Sequence, residues 1–442
     1  MNIDELRAEV DRGAVDTVLL ALTDMQGRLQ GKRLTARHFL AEVAEHGAEG
    51  CNYLLGVDVD MATVEGYAMF SWERGYGDFV LRPDLATLRP VPWQEGTVVC
   101  LADVGWEDGS DVTVSPRQVL RGQLGRLGER GWTANAGTEL EFIVFRDTYE
   151  QAWHKGYREL DPANLYNVDY SLLGTARVEP LIRRIRNSME AAGMLCEDSK
   201  GECNFGQHEI NFRYADALRT ADEHAIYKNG VKEIAAQEGL SITFMAKYDQ
   251  REGNSCHIHF SLADEQGPLF HRERPLFESF LAGQLAGLRE LTLLFAPNVN
   301  SYKRFASASF APTAVAWGHD NRTCSLRVVG EGPSLRFENR VGGADLNPYM
   351  ALSAIIAAGL AGVDQGLELE PVFEGNAYSA GELPRVPSSL RDARDLFASS
   401  ALARSALSDD VVDHYVHAAD VELAAFGASV TDWERYRGFE RL

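Results

Sequence analysis

Apolar positions recur with one period in the first quarter of this chain and with another in the rest. Over the first hundred residues they gather in short β-rich runs, Thr17–Thr23 and 97–103, set between glycine-rich turns, with one helical stretch at 36–46. This pattern predicts a small α+β unit, assigned to residues 1–105. Arg89-Pro-Val-Pro-Trp93 marks its end, because two prolines restrict the backbone and break regular structure. From Ser115-Pro116, a serine placed to cap a helix and a proline at its first position, amphipathic helices alternate with strands. Helices are predicted over 179–192, Ala217–Gln237, 275–296, 348–363 and 390–406, and the acidic stretch from Asp409 reads as a further amphipathic helix. The second unit, 106–442, is therefore also α+β. There is no internal repeat and no low-complexity tract.

Four segments of the second unit place charge where strands are expected. Glu139 and Glu141 stand two apart in Thr138-Glu-Leu-Glu-Phe142, as do His257 and His259 in Cys256-His-Ile-His-Phe260. Arg336, Glu338 and Arg340 take alternate places in Leu335-Arg-Phe-Glu-Asn-Arg340, and Glu202 and Glu209 flank a glycine turn. Strand side chains alternate between faces, so each set projects to one side while Leu140, Phe142, Ile258, Phe260 and Phe337 pack on the other. Alternating charge in any one of these strands alone is more often a solvated sheet face, and His257 alone reads as a core histidine and Glu202 as a surface residue. Together they describe a sheet face able to hold hard cations and the phosphates those cations neutralise.

The charge balance narrows the partners. Sixty-five acidic against 43 basic residues give 442 residues a net charge of -22, which repels nucleic acid and anionic bilayers but suits metal cations and ammonium-bearing substrates. The opening MNIDELRAEV has no basic run followed by an apolar stretch, so no secretory signal is expected. The longest mostly apolar stretch, 351–363, is too short to span a bilayer and reads as a buried helix. Cys51, Cys100, Cys196, Cys203, Cys256 and Cys324 form no CxxC pair, which fits reduced thiols in a cytoplasmic enzyme. Glutamates with an imidazole suit Mg²⁺ or Mn²⁺ better than structural zinc, and carboxylate-held metal with arginines is the usual equipment for phosphoryl transfer. No P-loop and no dinucleotide-binding glycine motif occurs, so bound ATP would use another scaffold.

These strings resemble the glutamine synthetase family over nearly the whole chain. The matching segments are Gly77-Asp-Phe-Val-Leu-Arg-Pro-Asp84 with Pro92-Trp93, Gly137-Thr-Glu-Leu-Glu-Phe142, Glu202 through Asn211, Gly253 through Ser261, and Asn300-Ser-Tyr-Lys-Arg304. Asn321-Arg-Thr-Cys-Ser-Leu-Arg327, Arg336-Phe-Glu-Asn-Arg340 and Ala344-Asp-Leu-Asn-Pro-Tyr349 complete the set. The resemblance implies a β-grasp-like N-terminal domain and a catalytic domain with a curved antiparallel sheet and flanking helices. It further implies a homo-oligomer of stacked rings, a dodecamer, with active sites between subunits. By resemblance, Glu141, Glu202 and Glu209 hold one divalent metal, and Glu139, His257 and Glu338 hold another that bridges the ATP phosphates. Mg²⁺ or Mn²⁺ is implied, two or more per site. Arg304, Arg340 and Gly253 match groups that bind glutamate. Arg322, Arg327 and Arg336 match the phosphate clamp, with Arg322 and Glu338 in catalytic roles, and His259 and Ser261 match nucleotide contacts. The implied reaction phosphorylates the γ-carboxylate of glutamate with ATP, after which an amine attacks the acyl phosphate.

Departures from the family pattern bear on the amine. Glutamine synthetases carry a glutamate six residues after the arginine that corresponds to Arg304, where it helps hold and deprotonate ammonium. Here that position is Phe310, which offers a pocket wall for a carbon substituent instead. The same kind of substitution occurs in γ-glutamylpolyamine and γ-glutamylmonoamine synthetases. The other ammonium-site element, an Asp with a hydroxyl three residues on, is matched to Asp60 and Thr63, with Asp58 as the alternative. Glu252 stands where many relatives have Asn. The expectation is an ATP-dependent ligase making a γ-glutamyl amide from a polyamine or a short monoamine such as ethanolamine. The alternatives are an ammonium-using glutamine synthetase and a catalytically inactive structural or regulatory relative.

Overall fold

The computed structural model describes residues 1–442 and contains two sheets. The first runs in the order β2–β1–β6–β4–β3, with β5 on β6. Its strands are β1 (Thr17–Thr23), β2 (Leu29–Thr35), β3 (Ala48–Cys51), β4 (Asp78–Pro83), β5 (Arg89–Pro90) and β6 (Thr97–Gly105). β1 lies antiparallel to β2 and parallel to β6, and its Val18, Leu20 and Leu22 are buried in the core as the strand period requires. The proline-rich segment does not close this sheet. Arg89 and Pro90 pair with Val99 and Val98 of β6, which follows them and runs through the sheet's interior. The helical stretch at 36–46 forms with a π-helical turn over Phe39–Val43, where Phe39 and Val43 are buried.

The second sheet has ten strands in the order β14–β15–β16–β12–β7–β9–β8, with β10 and β11 on β7 and β13 on β12. Its members are β7 (Thr133–Phe145), β8 (Cys196–Gly201), β9 (Gln207–Phe212), β10 (Ala215–Asp216) and β11 (Ser241–Thr243). They continue as β12 (Cys256–Asp264), β13 (Gly267–Pro268), β14 (Trp317–His319), β15 (Leu326–Val329) and β16 (Arg336–Asn339). Pairing is antiparallel except between β14 and β15. One face is apolar. Phe260 and Phe337 pack there against Phe270 and Phe280, the last from helix Arg274–Phe295. Full burial of such side chains contributes roughly 1.5–3 kcal/mol each, which commits the opposite, charged face to the cavity side.

Helices Ala217–Gln237 and Pro348–Gln365 form as the sequence pattern implies. The predicted helix over 390–406 is instead two, Leu390–Ser399 and Ala401–Leu407. Ser400 breaks it by turning extended, and its hydroxyl caps the second helix at Ala403 N, 2.9 Å away. Ser115 opens helix Pro116–Gly128 through its carbonyl, which accepts from Gln118 N and Val119 N, rather than through its hydroxyl. The acidic stretch from Asp409 makes helix Asp409–Ala428 and, after a capping box at Thr431, helix Asp432–Gly438.

A buried charge network ties the first sheet to the second unit. Arg117, whose side chain is 2% exposed, binds Asp84 and Asp103 from one side and Asp222 from the other. Asp222 also accepts from Tyr349 Oη at 2.7 Å. With its bonds satisfied on both sides, the guanidinium stays charged in the interior.

Candidate active site

Strand register assembles the charged face into rows. Arg327 on β15 pairs with Glu338 on β16, which pairs with His259 on β12. Two residues along, His257 on β12 sits opposite Glu139 on β7. Two further along, Glu141 on β7 sits opposite Glu209 on β9, and Glu209 opposite Lys200 on β8. Each row projects to the same side because the strand period is two. The rows open on a cavity of about 710 Å³.

Two ligand sets stand in this cavity. Ligand atoms of Glu139, His257 and Glu338 lie within 4.8 Å of one another, and so do those of Glu141, Glu202 and Glu209. In the first set His257 Nδ1 is 3.2 Å from Glu139 Oε2 and 3.4 Å from Glu338 Oε1, while His259 Nε2 is 2.8 Å from Glu139 Oε1. Glu338 is fully buried and also accepts from Arg327 Nη1 at 2.9 Å and from Arg340 Nη1. Burial raises Glu139, but hydrogen bonds from His257 and His259 outweigh it and hold the carboxyl well below the usual range. Burial likewise raises Glu338, and the charges of His257 and Arg340 bring it below its ordinary value. His257 is pushed down by burial and by Arg340, against the pull of Glu139 and Glu338, a shift toward the neutral form that binds metal.

In the second set Glu141 Oε2 accepts from Ser255 N at 2.7 Å and from Gln207 Nε2 at 3.0 Å. Burial, reinforced by Glu141, pushes Glu209 up to about 8, with Lys200 opposing. Both sets fit hard divalent cations on their chemistry: three carboxylates converge in one, and in the other two carboxylates meet His257 Nδ1. A divalent ion held there supplies positive charge to phosphate oxygens.

The comparisons with known proteins agree with one another. The model of the glutamine synthetase catalytic domain matches residues 113–437. The γ-glutamylethanolamide synthetase of Streptomyces coelicolor is 63% identical, over 100% of this chain and 96% of that protein. The glutamate–isopropylamine ligase of a Pseudomonas species is 37% identical over 98% of this chain and 97% of its own length. A solved GmaS–ADP complex superposes with a TM-score of 0.87 at 27% identity, covering 98% of this chain and 99% of that one. The chain belongs to the glutamine synthetase family. It is an ATP-dependent ligase of that family, joining an amine to glutamate, and such ligases use divalent metal ions. No helix is long and apolar enough to cross a membrane.

Most residues picked out from the family's motifs meet in this cavity. Glu139, Glu141, Glu202, Glu209, Gly253, His257, His259, Phe310, Arg322, Arg327, Arg336 and Arg340 line it, and Glu338 lies directly behind. Arg304 does not. It is 1% exposed, and its guanidinium donates to the carbonyls of Val341 and Arg340 and to Ser255 Oγ, which places it behind the cavity wall rather than in the lining. A Cβ on Gly253 would fall 2.2 Å from the Ala246 carbonyl oxygen and 2.7 Å from Arg304 Cγ, which explains the glycine. Ser261 is half-buried further along β12 and does not line the cavity. Asp60 and Thr63 are exposed on the segment between β3 and β4, outside this cavity, and Asp58, half-buried on the same segment, also lies outside it. Arg28 anchors that segment through the carbonyls of Val59 and Asp58.

Some lining residues escaped the sequence reading: Lys200, Gln207, Asn211, Asp169 and Tyr170. Gln207 and Lys200 were detectable, since one lies inside the Glu202–Glu209 segment and the other two residues before it. Phe310 sits in the wall at φ +57°, a left-handed conformation that costs an L residue roughly 1–2 kcal/mol. Arg340 Nη2 holds its carbonyl at 3.3 Å.

Proposed function

We propose that this ligase condenses glutamate with a short, polar primary monoamine of the ethanolamine class, with polyamines as the second class to test. The observation that carries the reading is Phe310: a ring 55% exposed in the wall of the metal-lined cavity, at the position where an ammonium enzyme needs a carboxylate. The 63% identity to a γ-glutamylethanolamide synthetase supports the same choice. ATP transfers its γ-phosphoryl group to a γ-carboxylate oxygen of glutamate, leaving ADP. The amine nitrogen then forms the C–N bond, the C–O bond to phosphate breaks, inorganic phosphate leaves and the amine gives up a proton. That order is required because a carboxylate is a poor electrophile until it carries a leaving group.

Within this reading two or more ions, Mg²⁺ or Mn²⁺, occupy the two ligand sets. Arg322, Arg327 and Arg336 clamp the phosphates, Arg340 and Gly253 receive glutamate, and His259 and Ser261 face the nucleotide. Domains 1–105 and 106–442 assemble into stacked rings, in which Asp60 and Thr63 complete a neighbouring subunit's amine pocket. Their exposure away from the cavity of their own subunit supports that arrangement. The six unpaired cysteines suit a cytoplasmic enzyme. Phosphate release with glutamate, ATP and Mg²⁺ against ethanolamine, isopropylamine, putrescine and ammonium tests the reading. Ethanolamine should give the highest kcat/KM of the four, and ammonium equal to or above every amine would overturn it.

A further inference from the structure

One charged group in the cavity has no part in the reaction just described. Lys200 lies opposite Glu209 in the β8–β9 register, so its stem rises from the same face as the carboxylates. Its ammonium pairs with Glu202, lies 3.7 Å from Glu209 Oε1, and stands 4.9 Å from the centre of the Tyr170 ring. The Lys200, Glu202 and Glu209 side chains are 20%, 14% and 3% exposed, so this is no solvent-screened surface bridge of slight strength. A lysine ammonium has three donors and no lone pair, so it cannot join a metal's ligands, and its charge repels a divalent ion. Lysine and metal therefore compete for the same carboxylate oxygens.

We infer that Lys200 is the resident cation of the Glu141–Glu202–Glu209 set, and that a divalent ion enters by displacing its ammonium from Glu202 and Glu209. The three carboxylates are then never left bare, which would cost far more than a paired arrangement. The exchange lowers affinity for free metal and leaves the released ammonium beside the Tyr170 ring, whose face stabilises a cation. The inference rests on the metal-site reading above, and its test separates the two.

Isothermal titration with Mn²⁺ alone, on the intact oligomer, compares the wild type with Lys200→Met and Lys200→Arg. Glu209→Gln identifies the heat that belongs to this set. Lys200→Met should bind there at least about tenfold more tightly, equivalent to about 1.4 kcal/mol, while Lys200→Arg should match the wild type or bind more weakly. Affinity unchanged or weakened in Lys200→Met overturns the inference and leaves the metal site standing. Absence of any Mn²⁺ heat that Glu209→Gln removes overturns both. Because Lys200→Met can fail to fold, the wild type supplies a second measurement, acetic anhydride labelling read by mass spectrometry. Acetylation of Lys200 should rise several-fold when Mn²⁺ is added, and labelling that stays level or falls overturns the displacement.

Discussion

Replacing Phe310 tests the amine assignment where the structure allows a magnitude to be worked out. The ring is 55% exposed in the cavity wall, so it meets a ligand with one face only. Ethanolamine brings two methylenes, worth about 0.8 kcal/mol each when fully buried, or about half that when covered on one side. Phe310→Ala should therefore lower kcat/KM for ethanolamine by roughly four- to fifteen-fold and leave the slower ammonium reaction within about twofold. Phe310→Glu should also lose ethanolamine activity, but it places a carboxylate where ammonium can pair and deliver a proton, so ammonium should improve. Strain cannot confuse this comparison: φ is +57°, and Phe, Ala and Glu all carry the Cβ that makes this conformation costly. The hydrogen bond from Arg340 goes to the backbone carbonyl and survives each substitution. The assay is phosphate release at saturating glutamate and ATP with each amine varied, beside a melting curve for each variant. An ethanolamine-to-ammonium ratio unchanged within twofold in Phe310→Ala, in a protein that melts like the wild type, would refute the contact.

The proposed sharing of active sites between subunits predicts complementation: Asp60→Ala and Glu338→Ala should each be inactive alone, and subunit exchange between them should restore part of the activity, measured as phosphate release after mixing. Arg304→Lys should lower stability by about 1–3 kcal/mol because lysine cannot brace Val341, Arg340 and Ser255 together, and glutamate KM should rise along with it. A raised KM with an unchanged urea midpoint would return Arg304 to the substrate. Arg117→Ala leaves Asp222 buried without its cation and should cost about 3–5 kcal/mol in urea unfolding, with Mn²⁺ binding retained in the folded fraction. His208, His224 and His414 are held by burial at about 4, 3 and 4, below the ordinary 6.5. Below pH 6.5 the unfolded chain binds protons that the folded chain refuses, so stability should fall by up to roughly 1.4 kcal/mol per histidine per pH unit down toward pH 4. A urea midpoint no lower at pH 5.5 than at pH 7 would refute that.

Alternation was legible because it is local. Glu139 and Glu141, or His257 and His259, need only the strand period to share a face, and both pairs do. A local pattern also located the buried helix Pro348–Gln365, since 351–363 offers no polar face to solvent. What the period does not carry is direction at a strand's end. Arg304 is the last residue of the 3₁₀ turn Ser301–Arg304, outside any strand, where the strand period cannot say whether a side chain meets the cavity or the carbonyls behind it. The break at Ser400 is of the same kind: 390–406 keeps helical spacing on both sides, and one extended residue whose hydroxyl satisfies the next helix costs little in pattern. Asp60 poses a different difficulty. Motif matching places it at a site, but a single chain contains no information about which copy's site that is.

Charge pairing across strands is the part of the site that no spacing rule reaches. Lys200 lies 61 positions from Glu139 in the numbering, and Glu338 lies 81 beyond His257, yet register sets them on one surface. The consequence is electrostatic. Glu338 and Glu139 have Arg327, Arg340 and two histidines as neighbours, and their carboxyls stay below the ordinary range. Glu209 has one lysine against Glu141 and deep burial, and it is raised. Under the proposed function and the inferred displacement, a divalent ion would meet two different competitors in one cavity: Arg327 and Arg340 on the β15–β16 side, which would stay to bind substrate oxygens, and Lys200 on the β8–β9 side, which would have to leave. Arginine has a rigid fork that holds carboxylate and phosphate alike, whereas lysine is a point charge on a mobile stem. That division of residue types is what a cavity needs if one metal is to arrive among phosphates and the other is to be exchanged for a resident charge.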